Sequence, residues 1–155
     1  SLLIKCRHGD ILSANVLERI ACLTEELYLM EGVNVARING IAARKVKKIV
    51  PGPNGFKAER LVSTMPTNDT EREELRGHLR RNPLVYGRLV SPDYSATLIQ
   101  ADFFTDVSSP AILKTVEHAI EKIDSEEIDV YYSGKPILEG LLDRHLPNMA
   151  YLFVF

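Results

Sequence analysis

The chain has 155 residues, of which 45% are apolar and 26% charged. That is enough for one domain with a real core, and the composition is that of a folded protein rather than a disordered one. A net charge of −2 gives no global field for nucleic acid, and no basic face with interleaved aromatics is present. The short basic clusters Arg44–Lys48 and Arg80–Arg81 read as solvated faces.

In chain order, Leu2–Arg7 reads as a strand, and Ser13 as the N-cap of a long helix to about Glu31, ended by Gly32. The helix carries an apolar stripe of Val16, Ile20, Leu23, Leu27 and Met30. Val33–Asn39 follows as a second strand. Val46–Val50 and Phe56–Val62 flank the turn-rich Pro51-Gly52-Pro53-Asn54-Gly55 and read as a hairpin. A charged helix then runs to about Arg81, with Asn68 and Glu71 spaced as a capping box and only Leu75 and Leu79 as large apolar residues.

After Asn82-Pro83, Leu84–Val90 reads as a strand and Ser91-Pro92-Asp93 as a turn. Ser95–Phe104 is the clearest strand, with Thr97, Ile99, Ala101 and Phe103 on one face and Gln100 and Asp102 on the other. Ser109 is expected to cap the next helix, with Pro110 at its first position and a core stripe of Ile112, Val116, Ala119, Ile120 and Ile123. Ile128–Tyr132 is a strand and Gly134-Lys135-Pro136 a break. Ile137–Leu146 is a final helix with Leu138, Leu141 and Leu142 inward. Two strand–helix–strand units, 2–39 and 95–132, point to an α+β fold of ferredoxin-like units, with helices packed on a mixed or antiparallel sheet.

The residues carry little chemistry. His8, His78, His118 and His145 lie far apart without ligand spacing, so no metal site is expected. Nucleophile elbow, glycine-rich phosphate loop and dinucleotide fingerprint are all missing, so neither catalytic residues nor a cofactor are assigned. Pro51-Gly52-Pro53-Asn54-Gly55 contains two prolines that lack the amides a phosphate cradle needs. The acidic clusters Glu71/Glu73/Glu74 and Asp124/Glu126/Glu127 fall on helix ends or polar faces, where structure explains them. Cys6 reads as a small buried hydrophobe. Cys22 points roughly 120° from its helix's apolar stripe, taking 100° per residue, and is expected off the core face and unbonded. The doublets Phe103-Phe104 and Tyr131-Tyr132 each send one ring to either side of a strand. If the two strands adjoin, the outward rings can line an apolar cleft, although packing under a helix is the commoner explanation for such pairs.

The segment Asn82–Asp102, NPLVYGRLVSPDYSATLIQAD, resembles the extracytoplasmic loop of RND-superfamily exporters of the MmpL and hopanoid-transporter type, through Asn82, Pro83, Gly87, Leu89, Val90, Ser91 and Asp93. Asn15–Asn39 is similar to that family's leading helix and following strand, and Ser133–Leu146 to its Gly-x-Pro segment and last helix. The resemblance implies a single porter domain over 1–155, a fragment of a proton-driven membrane exporter, on the periplasmic side of the cell membrane. Its implied partners are the rest of the transporter with its transmembrane helices and a hydrophobic or lipid-like cargo, with room for a homo-oligomer. Ala150–Phe155 is then the start of a transmembrane helix, the alternative being a last core strand; six apolar residues cannot cross a bilayer that needs about 20. The family's proton-coupling residues lie in the membrane, outside this chain, and its cargo residues map onto no position here. The chain itself is expected not to be an enzyme. The competing expectation is a stand-alone ferredoxin-like domain that binds a small ligand or regulates.

Overall fold

The computed structural model describes residues 1–53 and 55–150, the last four by their backbone alone. The expected apolar tail therefore lies outside the described residues, save for Ala150 as the final helical position. The elements are β1 (Leu2–Cys6), α1 (Ala14–Leu29), a 3-10 turn (Val35–Arg37), β2 (Lys47–Gly52), β3 (Gly55–Arg60), α2 (Asp69–Arg80), β4 (Ala96–Ile99), α3 (Ser109–Glu121), β5 (Ile128–Tyr132) and α4 (Lys135–Ala150). The α+β reading holds: among the described residues four helices accompany two antiparallel sheets. Strand β1 lies at the centre of the larger sheet, between β4 and β5. Leu3 stands opposite Leu98 on one side and Tyr131 on the other.

Period-two alternation sets which face of β1 is covered. Leu2, Ile4 and Cys6 are buried while Leu3 and Lys5 are not. The buried face meets Val16, Leu17, Ile20, Leu23 and Leu27 of α1 and Ile112, Leu113, Val116 and Ala119 of α3 in one hydrophobic cluster. Thr24, fully buried on α1, satisfies its hydroxyl by donating to the Ile20 carbonyl at 2.7 Å. Cys22 is exposed and Cys6 buried, both as free thiols, as their positions on helix and strand require.

Five local readings are corrected, the first being Ser95–Phe104, a continuous strand only over Ala96–Ile99 and carried on by isolated bridges at Gln100 and Phe103. Val33–Asn39 is not a continuous strand: it bridges the β4 side at its two ends, Val33 to Phe103 and Asn39 to Gln100, with the 3-10 turn between. Both Val33 and Ile38 are buried, and five residues apart they would face opposite ways on a regular strand, so the turn resets the phase. Leu84–Val90 is a set of tight turns held by the Asn82 carbonyl, which accepts from Val85 and Tyr86 at 3.0 and 2.9 Å. The Leu89 amide donates to the Val85 carbonyl at 2.8 Å, a helical-turn bond, and the neighbours Leu89 and Val90 are both buried, which a regular strand would send to opposite faces. The N-cap of α3 is Ser108 rather than Ser109, one residue earlier than expected. Finally, α4 begins at Lys135, with Pro136 in its first turn where a missing N–H costs nothing. Its inward residues are Ile137, Gly140 and in part Leu141, whereas Leu138 and Leu142 are each 57% exposed.

The hairpin and the α2 cap form as expected. The Asn68 side chain accepts from the Glu71 amide at 2.9 Å, while the Glu71 carboxylate turns back to the amide of Thr67 at 2.7 Å instead of closing the box on Asn68. The segment between α2 and β4 is clamped by Tyr94, a buried residue in the left-handed region at φ 60°. Arg80 Nε donates to its hydroxyl at 3.1 Å, and the Arg76 guanidinium lies 5.4 Å from its ring centroid. Arg76 also pairs with Asp10, tying α2 to the loop after β1.

Candidate functional site

A cleft of about 740 Å3 opens where the exit of β4, the first turns of α3, the end of β5 and the first turn of α4 converge. That is within the range of small-molecule sites, roughly 300–1,000 Å3. Ala101, Phe103, Val107, Ile112, Val116 and Ile137 supply an apolar wall; Asp102, Ser109, Lys135 and Glu139 supply a polar rim.

Each wall is placed by a local cause. Alternation beyond β4 turns Ala101 and Phe103 toward the cleft and leaves Gln100 and Asp102 exposed. Two backbone bonds fix this extension against the end of α1: the Asn34 amide donates to the Asp102 carbonyl and the Phe104 amide to the Gly32 carbonyl, each at 2.8 Å. Gly32 sits at φ 76°, and a Cβ there would overlap the Val107 side chain, so glycine is required twice over. On the other side, Ser109 donates to the Glu139 carboxylate at 2.8 Å and Lys135 lies 3.7 Å from it, which ties α4 across the mouth to α3. Glu117 accepts from the Tyr132 hydroxyl at 3.1 Å and pairs with Arg144 at 2.7 Å. Arg144 first, and Tyr132 to a lesser degree, hold the Glu117 carboxyl below its ordinary value against the opposing effect of burial.

The aromatic doublets are partly joined. Phe103, Phe104 and Tyr132 all line the cleft, while Tyr131 lies on the other side of the sheet, 55% exposed. The two strands do not adjoin, because β1 runs between them. The neighbours Val107, Ile112 and Ile137 carried no signal in the sequence beyond ordinary core periodicity.

The other singled-out residues do not converge on the cleft. His8, His78, His118 and His145 stay apart, and among the described residues no three metal-ligating side chains cluster. Burial, then Asp10 and Glu127, pushes the Cys6 thiol up to about 11, so it is protonated at neutral pH and no nucleophile. The Gly87–Asp93 run acts structurally. Gly87 takes φ 74°, Leu89 and Val90 are buried, and Ser91 exchanges hydrogen bonds with Ala96. The Ser91 hydroxyl, then the amide and hydroxyl of Ser95, hold the Asp93 carboxyl down at about 2. Among the described residues no helix is long and apolar enough to cross a membrane. No protein-family model and no curated protein matches the chain.

Proposed function

We propose that this chain is a porter domain of an exporter resembling the RND superfamily, held on the extracytoplasmic side of the cell membrane and offering a passage for hydrophobic or amphipathic cargo. The observation that carries the reading is the cleft. Apolar and aromatic side chains form one wall, polar groups share the lining with them, and of those Ser109 and Glu139 already satisfy one another. Such a lining holds an apolar body without demanding a fixed set of hydrogen bonds, which suits cargo that must leave again. The antiparallel order β5–β1–β4, continued by the bridges from Val33 and Asn39, supports the ferredoxin-like form of the domain. The domain performs no catalysis in this reading; the parent protein supplies the proton coupling and the membrane helices.

Sequencing the parent gene on both sides of the segment tests the placement. Apolar stretches of about 20 residues on either side, with a second similar loop elsewhere, support the exporter. Short polar ends would overturn it and leave a stand-alone ligand-binding domain, for which the edge of β5, unpaired among the described residues, offers a route to a dimer.

A further inference from the structure

The β2–β3 hairpin is graded along its length. Between residues 44 and 60 there are six cations against one carboxylate, in a chain whose net charge is −2. The register pairs Lys47 with Arg60, Ile49 with Ala58 and Pro51 with Phe56, and all six side chains share one face that is exposed throughout. Ile49 is 67% and Phe56 86% exposed, the latter more than any other large apolar side chain described. Lys47 and Lys48 make no ion pair among the described residues, whereas Lys57 is paired with Glu59 at 3.1 Å and Arg60 lies 3.7 Å from Glu25.

An apolar tip held out of a protein's core and backed by cations has a particular complement. We propose that this hairpin inserts its tip into the surface of an anionic lipid bilayer. The Pro51–Phe56 pair lies four residues beyond Lys47–Arg60, roughly 13 Å at about 3.3 Å per residue. Interfacial segments bury their apolar side roughly 5–10 Å into the headgroup–acyl boundary, which leaves the two cations level with lipid phosphates. Lys57, near the tip, can lay its aliphatic stem along the acyl region and lift its amine outward. Segregation along the ribbon's long axis separates this occupant from nucleic acid, whose recognition interleaves cations with aromatics. The inference stands apart from the transport reading, since it rests on the hairpin and not on the cleft.

The chain has no tryptophan, so Phe56→Trp places a single indole reporter at the tip. Mixed with phosphatidylcholine vesicles containing phosphatidylglycerol, this variant is expected to shift its emission to the blue and to be quenched by brominated acyl chains. Phosphatidylcholine alone should give neither effect, and added salt should weaken both. In vesicle flotation, Phe56→Ser is expected to bind about tenfold more weakly than wild type. A Lys47→Gln, Arg60→Gln variant is expected to lose roughly twenty-five-fold, at about fivefold per cation. Unshifted emission with the anionic vesicles would overturn the proposal. So would a blue shift that grows with protein concentration without lipid, which would place the tip on a second copy of the chain.

Discussion

A Cβ on Gly140 would stand 2.7 Å from the carbonyl oxygen of Ser109 and 3.0 Å from the Cβ of Leu113. Helix α4 is therefore laid against the first turns of α3 as closely as backbone allows, next to the cleft residues Ser109 and Glu139. Gly140→Val is expected to destabilise the chain by about 2 kcal/mol or more, because the side chain meets backbone that cannot swing aside. Gly77, on α2, is the contrast. A Cβ there meets only the flexible Arg81 guanidinium, at 3.6 Å, so Gly77→Ala should stabilise by about 0.5–1 kcal/mol through helix propensity. Urea unfolding of both variants checks the opposite signs.

Tyr94 combines an unfavourable backbone with a favourable ring. Tyr94→Phe, which loses only the bond from Arg80, should cost about 1 kcal/mol. Tyr94→Gly relieves the left-handed strain, roughly 1 kcal/mol, and gives up a buried ring worth about 3–5 kcal/mol, so the net loss should be about 2–4 kcal/mol. Were the glycine variant the more stable, the ring would not be the clamp described. Chemical denaturation of the two variants distinguishes these outcomes.

The pair Glu117–Arg144 gives a pH dependence of known sign. A carboxyl depressed in the folded state adds stability that is fully present above its ordinary value of 4.5 and is lost as pH falls through the folded value. Arg144→Gln should therefore lower stability modestly at neutral pH, the pair being partly exposed, and the gap to wild type should close in acid. Thermal unfolding across the acid range measures it; a gap independent of pH would assign the loss to packing of the arginine stem.

Wherever one element's own periodicity decided the outcome, the sequence was legible. The inward residues of β1, the stripes of α1 and α3, the bounds of β5 and the hairpin all follow from spacing and turn residues. Where two elements compete for one surface, it was not. Leu138 and Leu142 look like core by composition, yet the close approach at Gly140 rotates α4 so that Ile137 faces α3 and the two leucines face out. The pull of the core on both Val33 and Ile38 likewise broke a strand that looks regular on paper. The cleft drew its walls from four elements. Only Phe103, Phe104 and Tyr132 carried a mark beforehand, because adjacent aromatics on a strand cannot both be core. Ser109 was expected as a cap; its hydroxyl instead reaches Glu139, thirty residues away.

Titration of the chain with an environment-sensitive naphthylamine probe tests the central claim, that the cleft takes up apolar cargo. The wild type is expected to bind saturably with a negative heat-capacity change. Ala101→Trp, which fills the half-buried wall, should weaken binding at least about tenfold, or about 1.4 kcal/mol, while Phe56→Ser leaves it unchanged. Absence of saturable binding, or equal affinity in the Ala101→Trp variant, would contradict the account.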